Sequence, residues 1–219
     1  ETGLQQQPFC LRRGETYAGS VWVRGEAPEG LVARLRDGEE ALAEVRLRPP
    51  TRKWQSIPFA FHLIRDAENA TLQLGVVGKG EVWVDQVSLM PQACRETGGF
   101  RPDLLQAVAD LQPPVIRWPG GCFAEFYRWK DGIGPQHTRR MYPRSIWDDL
   151  DVNSLGTEEF VDLCRRVGAE PLIVIDIGSH AKPEERAAYI QEACDWIEYC
   201  NGPADSEWGR VRARNGHRE

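Results

Sequence analysis

The side chains with chemical reach gather in two stretches, Arg117 to Pro135 (RWPGGCFAEFYRWKDGIGP) and Pro171 to Gly178 (PLIVIDIG). They offer three acids, Glu125, Asp131 and Asp176, one thiol, Cys122, and four aromatics, Phe123, Phe126, Tyr127 and Trp129. Hydrolysis of a glycosidic bond needs two facing carboxyl groups, about 5 Å apart for retention and about 6.5–9.5 Å for inversion. Glu125 and Asp131 lie on a loop, which positions poorly, so no convincing pair is seen. Aromatic faces among acids also suit a binding rim, because loops at strand ends present side chains that a sheet cannot. The plainer alternative is a turn with a satellite aromatic cluster. Asp176 reads equally as a ligand contact or as an acid satisfied by a donor such as Arg117. Ser179 and His180 are adjacent in sequence, unlike a nucleophile and its base, and read as loop. Gly75 to Glu81 (GVVGKGE) resembles a phosphate loop but has the wrong spacing and no following helix, so a hairpin turn is the better reading.

Other chemistries find less support. Six cysteines (10, 94, 122, 164, 194 and 200) are scattered, with no C-x-x-C or Cys/His pair at metal spacing, so neither a zinc site nor a cofactor is expected. They do not require disulfides, and Cys164 and Cys194 read as small hydrophobes on helices. With 27 basic and 33 acidic residues the net charge is -6, which argues against a broad nucleic-acid surface. No apolar run approaches the roughly 20 residues of a membrane helix.

The elements that must position these groups form two kinds of pattern. From Thr16 to Met90 the period is two: Tyr17, Val21 and Val23; Leu31, Ala33 and Leu35; Ala41 to Leu47; Ile57 to Leu63; Leu72 to Val76; then EVWVDQVSLM. In the last run Val82 and Val84 change parity with Val87 and Leu89, which predicts a bulge near Asp85 and Gln86. Pro58 predicts an edge or bulged strand. Short strands between turn signals indicate an antiparallel two-sheet sandwich. Beyond Cys94 the period becomes helical. Arg101 to Leu111 predicts a helix, and Val115 to Trp118 a buried strand stopped by Pro119, Gly120 and Gly121. Thr157 caps a helix with Phe160, Val161, Cys164 and Val167 inward, stopped by Gly168. Pro171 to Gly178 predicts a strand buried on both faces. A helix from Pro183 to about Cys200 follows, with Ala187, Ile190, Ala193, Cys194, Ile197 and Cys200 inward. Ala204 to Glu219 shows no pattern.

Two β-α units predict a parallel sheet, whose functional side is the C-terminal end of its strands, here Arg117 to Cys122 and Asp176 to His180. Two such strands cannot close a barrel, which needs eight and about 250 residues, so the chain is expected to be incomplete at its C-terminus and its N-terminus. It starts at Glu1 with no charged-then-apolar leader, consistent with a leader removed or a piece of something longer. The expected domains are 1–92 and 93–219.

RWPGGCFAEFYRWKDGIGP, LGTEEFVDLCRRVGAEPLIVIDIGS, the helix ending WIEYCNG and SEWGRVRARNGHRE together resemble the α-L-arabinofuranosidases of glycoside hydrolase family 51. The similarity runs from Gly99 to Glu219. The sandwich before it, ending GEVWVDQVSLMP, looks like the carbohydrate-binding-module-type jelly roll inserted in longer members. The resemblance therefore implies a multidomain β and α/β protein, an antiparallel jelly-roll sandwich followed by part of a (β/α)8 TIM barrel carrying its second and third strands. It implies a retaining, exo-acting enzyme whose acid/base glutamate, in an Asn-Glu pair on the fourth strand, and nucleophile, on the seventh, have no counterpart here. Cys122, in PGGC, matches a position that contacts the arabinose ring; Gly121 and Phe123 flank it, and Trp129 belongs to the same rim. Asp176 stands where members usually have Asn. The implied partner is an arabinose-containing polysaccharide or oligosaccharide, and family members are often oligomers. A second reading is a carbohydrate-binding module with no catalysis of its own, using Trp22, Trp54 and Trp83 for stacking; those three also fit core or sheet packing. A third is a glycosidase of another family that shares the barrel.

Overall fold

The computed structural model describes residues 2–144 and 149–218. It divides into two compact units, Glu1–Pro102 and Asp103–Glu219.

The first unit is a β-sandwich. Its strands are β1 (Thr2–Leu11), β2 (Thr16–Glu26), β3 (Leu31–Asp37), β4 (Glu40–Leu47), β5 (Gln55–His62), β6 (Ala67–Val76) and β7 (Glu81–Pro91). They form two antiparallel sheets, in the orders β1-β6-β3-β4 and β5-β2-β7. Period-two alternation sends Val21, Val23, Ile57, Phe59 and Phe61 from one sheet, and Leu31, Ala33, Leu35 and Leu72 from the other, into a single core. Each of the valines, leucines, isoleucine and phenylalanines contributes about 1.5–3 kcal/mol by leaving water. The parity change in β7 is a bulge: Val21 pairs with Val87 and Val23 with Val84, so Asp85 and Gln86 together oppose Trp22. Pro58 lies on β5, at the edge of its sheet, where a missing N–H is tolerated. Strand β1 has no apolar alternation to announce it. It is largely exposed, its register slips on either side of Phe9, and it is held by its pairing with β6. A short helix, α1 (Gln92–Glu96), follows β7.

The second unit contains α2 (Pro102–Asp110), β8 (Val115–Trp118), a small antiparallel pair β9 (Tyr142–Arg144) and β10 (Asp149–Asp151), α3 (Thr157–Val167), β11 (Glu170–Ile173), α4 (Arg186–Asn201) and α5 (Glu207–Arg214). Strands β8 and β11 are parallel, with Val115 opposite Glu170 and Trp118 opposite Ile173. Several expectations need correction here. The strand expected to reach Gly178 ends at Ile173, because its only ladder among the described residues is with the four residues of β8. Neither strand is buried on both faces: Val115 and Leu172 are each about half exposed. The first helical residue of α3 is Thr157, and Gly156 is its N-cap. The Glu159 carboxylate takes the N–H of Gly156 (2.8 Å). A Cβ on Gly156 would lie 1.8 Å from the carbonyl oxygen of Gly132, so only glycine fits this approach.

Helix α4 turns a different face inward from the one its aliphatic residues suggest. Ile190 and Ile197 are exposed, as are Ala187 and Cys194, while Asp195, Trp196 and Tyr199 are buried. The surface it packs on is aromatic, and ring faces with hydrogen-bonding edges select tryptophan and tyrosine over isoleucine. The segment without visible pattern contains α5, whose first turn is capped by Ser206 Oγ accepting from the Gly209 N–H (3.2 Å). All six cysteines are free thiols. Cys164 is fully buried, as a small hydrophobe should be, but Cys194 is not.

Candidate functional site

The site is built from the loops that leave the C-terminal ends of β8 and β11. After Trp118, a cis bond to Pro119 and a positive φ at Gly121 (56°) turn the chain into a 3-10 turn, Gly121–Glu125. That φ is open to glycine and costly for other residues. Cys122 stands exposed at the start of the turn, and Phe123 packs against Tyr127 with centroids 5.4 Å apart.

Aromatic stacking anchors the loop. Trp118, on β8, meets Tyr127 edge-on at 4.9 Å, Phe160 of α3 at 5.3 Å and Trp196 of α4 at 6.2 Å. Trp129 lies parallel to Trp196 (5.7 Å, 4°), edge-on to Trp208 (5.0 Å) and against Tyr199 (5.4 Å). Its indole N–H donates to the Glu192 carbonyl at 3.2 Å. Trp129 is thus 2% exposed and positions the loop from beneath. Burial pushes the Tyr127 hydroxyl far above its usual range, so it stays neutral.

Next to it, Lys130 Nζ donates to Glu192 (2.8 Å) and Asp195 (2.5 Å) and lies 4.6 Å from the Trp208 ring centre. Burial pushes the Asp195 carboxyl up, but hydrogen bonds from Lys130 and Gln191 outweigh it and hold that carboxyl below its usual range. For Lys130, burial acts downward and the two carboxylates more than offset it, so its pKa is raised.

A buried polar network closes the loop on its far side. The side chain of Arg139 is 1% exposed and donates to the carbonyls of Gly134 (2.7 and 2.9 Å) and Asn153 (2.9 Å), to Glu159 (2.8 and 2.9 Å) and to Glu158 (3.3 Å). Glu158 also accepts from the Gly134 N–H (3.2 Å), the Tyr199 hydroxyl (2.5 Å) and Asn215 Nδ2 (2.9 Å). Sequence reasoning missed Arg139. Nothing in Thr138-Arg139-Arg140 separates the buried arginine from the exposed one, and only the two glutamates at the start of α3 hint at a required cation.

The three rim acids are all engaged. Glu125 accepts Ser179 Oγ (2.7 Å) on one oxygen and Nε2 of His180 (2.8 Å) on the other, while His180 stacks on Phe126 (5.9 Å, 18°). Those bonds, Ser179 first and His180 second, hold the Glu125 carboxyl below its usual range. The adjacent Ser179 and His180 are therefore a clasp between the β8 and β11 loops, which their sequence order concealed. Asp131 faces Arg140 at 3.8 Å. Asp176 uses one oxygen to accept the N–H of Gly178 (2.8 Å), fixing its own turn; Arg117 is not that partner. Its other oxygen, Oδ2, is buried and has no partner among the described residues. A buried acceptor left empty at a strand end is suited to taking a hydroxyl donor. Gly121, Cys122 and Phe123 thus lie in the loop after β8 and Asp176 in the loop after β11, while Trp129, expected on the same rim, is buried in the aromatic stack.

Two parallel strands, each followed in the chain by a helix, place this unit in the α/β class. Residues 107–219 match the family model described as the alpha-L-arabinofuranosidase 1 domain, and the chain belongs to that family. Alpha-L-arabinofuranosidase 1 and 2 of Arabidopsis thaliana are 34% and 39% identical to it; in each case the alignment covers 95% of this chain and 33% of the relative. The chain thus spans about a third of the length of these curated relatives. Among solved structures, an alpha-L-arabinofuranosidase from Thermotoga maritima in complex with arabinose is 40% identical and has a TM-score of 0.49, covering 55% of this chain and 23% of that one.

Proposed function

We propose that this chain is part of a retaining, exo-acting α-L-arabinofuranosidase that removes terminal α-L-arabinofuranosyl groups from arabinose-containing polysaccharides or oligosaccharides. In this reading β8 and β11 are the second and third strands of a (β/α)8 barrel, preceded by the jelly-roll sandwich, and they supply part of the sugar-binding rim. The observation that carries it is the family match over residues 107–219, which falls on the unit whose strand ends hold the rim. Cys122, with Gly121 and Phe123, meets the sugar ring from the β8 side. Asp176 Oδ2, buried and unpartnered, accepts a sugar hydroxyl from the β11 side. Trp129 holds the rim from below. The resemblance puts the acid/base and nucleophile glutamates on the fourth and seventh strands of the barrel, so bond cleavage is assigned to carboxylates other than Glu125, Asp131 and Asp176.

The test is hydrolysis of an aryl α-L-arabinofuranoside by this chain and by the protein extended to a complete catalytic domain. The extended protein should turn the glycoside over with retained anomeric configuration, and the 219-residue chain should not. Turnover by the short chain, inversion by the long one, or a preference for aryl pyranosides would each sink the reading.

A further inference from the structure

The sandwich carries a second candidate site, on the outward face of the sheet β5-β2-β7. Val21 and Val23 of β2 point into the core, so Arg24, one residue on, stands on the opposite face. Arg24 pairs across the sheet with Trp83 of β7, and Trp54 immediately precedes Gln55, the β5 partner of Val23. Strand pairing therefore lines up Trp54, Arg24 and Trp83 in one row. The guanidinium carbon lies 5.1 Å from the centre of the Trp54 ring and 5.2 Å from that of Trp83. The rings are 42% and 48% exposed, so each keeps open surface beyond its contact with the arginine.

Two further observations point to a ligand. Arg24 Nε is buried and has no hydrogen-bond partner among the described residues, although a buried donor is costly to leave empty. Beside the row opens a cleft of about 620 Å³, lined by Arg24, Trp83, Arg52, Lys79, Glu26 and Glu81. Arg52 is held by Glu26. Arg24 and Lys79 then remain as cations without an ion pair among the described residues, set against the single carboxylate of Glu81.

A molecule that satisfies this row must present a flat C–H face to an indole and an anionic, planar acceptor to a guanidinium. A neutral sugar offers the first and lacks the second. We propose that the outer face of the sandwich binds a uronate-bearing saccharide, with its carboxylate on Arg24 and its ring against Trp83. Lys79, at the tip of the β6–β7 turn, adds attraction for further carboxylates along the chain. The need for a carboxylate rests on Arg24 alone; the choice of a sugar over another flat acid rests on the function proposed above.

The experiment is titration of the full 219-residue chain with tetragalacturonate and with its methyl-esterified form, read by tryptophan fluorescence and calorimetry. Losing a charge-assisted hydrogen-bonded pair weakens association about ten-fold or more, so the ester should bind at least that much more weakly than the acid. Binding of the acid should fall as salt rises. Arg24→Met should remove most of the difference between acid and ester, leaving only the share that Lys79 adds, with far-UV circular dichroism confirming the fold. Lys79→Glu, on an exposed turn, should weaken only the acid form. Equal binding of acid and ester by the unaltered protein, or no saturable binding of the acid up to about 10 mM, overturns the proposal whether or not Arg24→Met folds. No hydrolysis is measured, so failure here leaves the arabinofuranosidase reading standing, and failure of that reading leaves this binding result intact.

Discussion

Replacing Arg139 by methionine should strongly destabilise the second unit. The arginine is 1% exposed, and its guanidinium is shared among two carbonyls and two carboxylates. Methionine keeps most of the volume and removes every donor. Breaking a buried pair by deleting one partner costs about 3–5 kcal/mol. Glu158 keeps Tyr199, Asn215 and the Gly134 N–H, and Glu159 keeps the Gly156 N–H, so the carboxylates are not wholly stranded. That places their share at the low end, while the orphaned carbonyls of Gly134 and Asn153 each add about 1 kcal/mol. A loss of about 3–5 kcal/mol follows, measurable by urea denaturation, with amide exchange at Gly134 and Gly156 assigning it to this unit. Adding Glu158→Gln and Glu159→Gln should recover part of the loss, because two facing charges no longer need a counterion. A loss below about 1 kcal/mol, or a triple variant no more stable than Arg139→Met alone, would refute the reasoning.

Three other outcomes follow from the same geometry. The folded pKa of Asp195 is depressed, so its tie to Lys130 stabilises above the unfolded aspartate value of about 3.9 and is lost as pH falls through the lower folded value. The folded pKa of Lys130 is raised, so its share is full below about 10.4 and is lost as pH rises through the higher folded value. Lys130→Met should therefore flatten the stability profile at both ends, and a variant curve parallel to the parent's would count against the pairing. Gly156→Ala should cost at least about 1–3 kcal/mol in thermal unfolding, since its Cβ would meet the Gly132 carbonyl; an unchanged melting temperature would show that the approach is looser than described. In the protein extended to a complete catalytic domain, Asp176→Ala should raise KM for aryl arabinofuranosides and Asp176→Asn should restore much of the loss, because the amide oxygen still accepts a hydroxyl; equal kinetics for both would remove Asp176 from the rim.

What could be read in the sequence was whatever repeats at the period of its own element. The six strands from β2 to β7 alternate, and the bulge in β7 shows as a parity change because its one extra residue shifts every later side chain to the other face. Strand β1 is not legible, because a largely exposed edge strand that reaches the core only through Phe9 and Leu11 needs no sustained apolar alternation. The aliphatic stripe of α4 points to the wrong inward face for a related reason. That stripe has helical spacing, yet the surface opposite the helix is made of Trp118, Trp129 and Tyr127, which a count of isoleucines cannot foresee. The rim residues could be placed at strand ends from the Pro-Gly-Gly stop and the resemblance together. Neither the Glu125 clasp nor the empty oxygen of Asp176 could be, since both depend on how two loops distant in sequence meet.

The two parallel strands share only a four-residue ladder, too short by itself to hold the loops at their ends in register. Position instead comes from behind the rim. The stack through Trp118, Trp129, Trp196 and Trp208 ties the β8 loop to α4 and α5, and Arg139 with Glu158 ties the end of the same loop to α3, Tyr199 and Asn215. Stacked rings tolerate sliding, whereas a hydrogen-bonded guanidinium does not, so the aromatic part supplies burial and the polar part supplies direction. The clasp of Glu125 with Ser179 and His180 then relates the second loop to the first from the solvent side, where it is screened and weak, while the network beneath is shielded. Rim geometry in this unit is therefore set mainly by its helices, and a substitution at Asn215, which is not on the rim, should disturb Gly134 sooner than one at Ser179, which is.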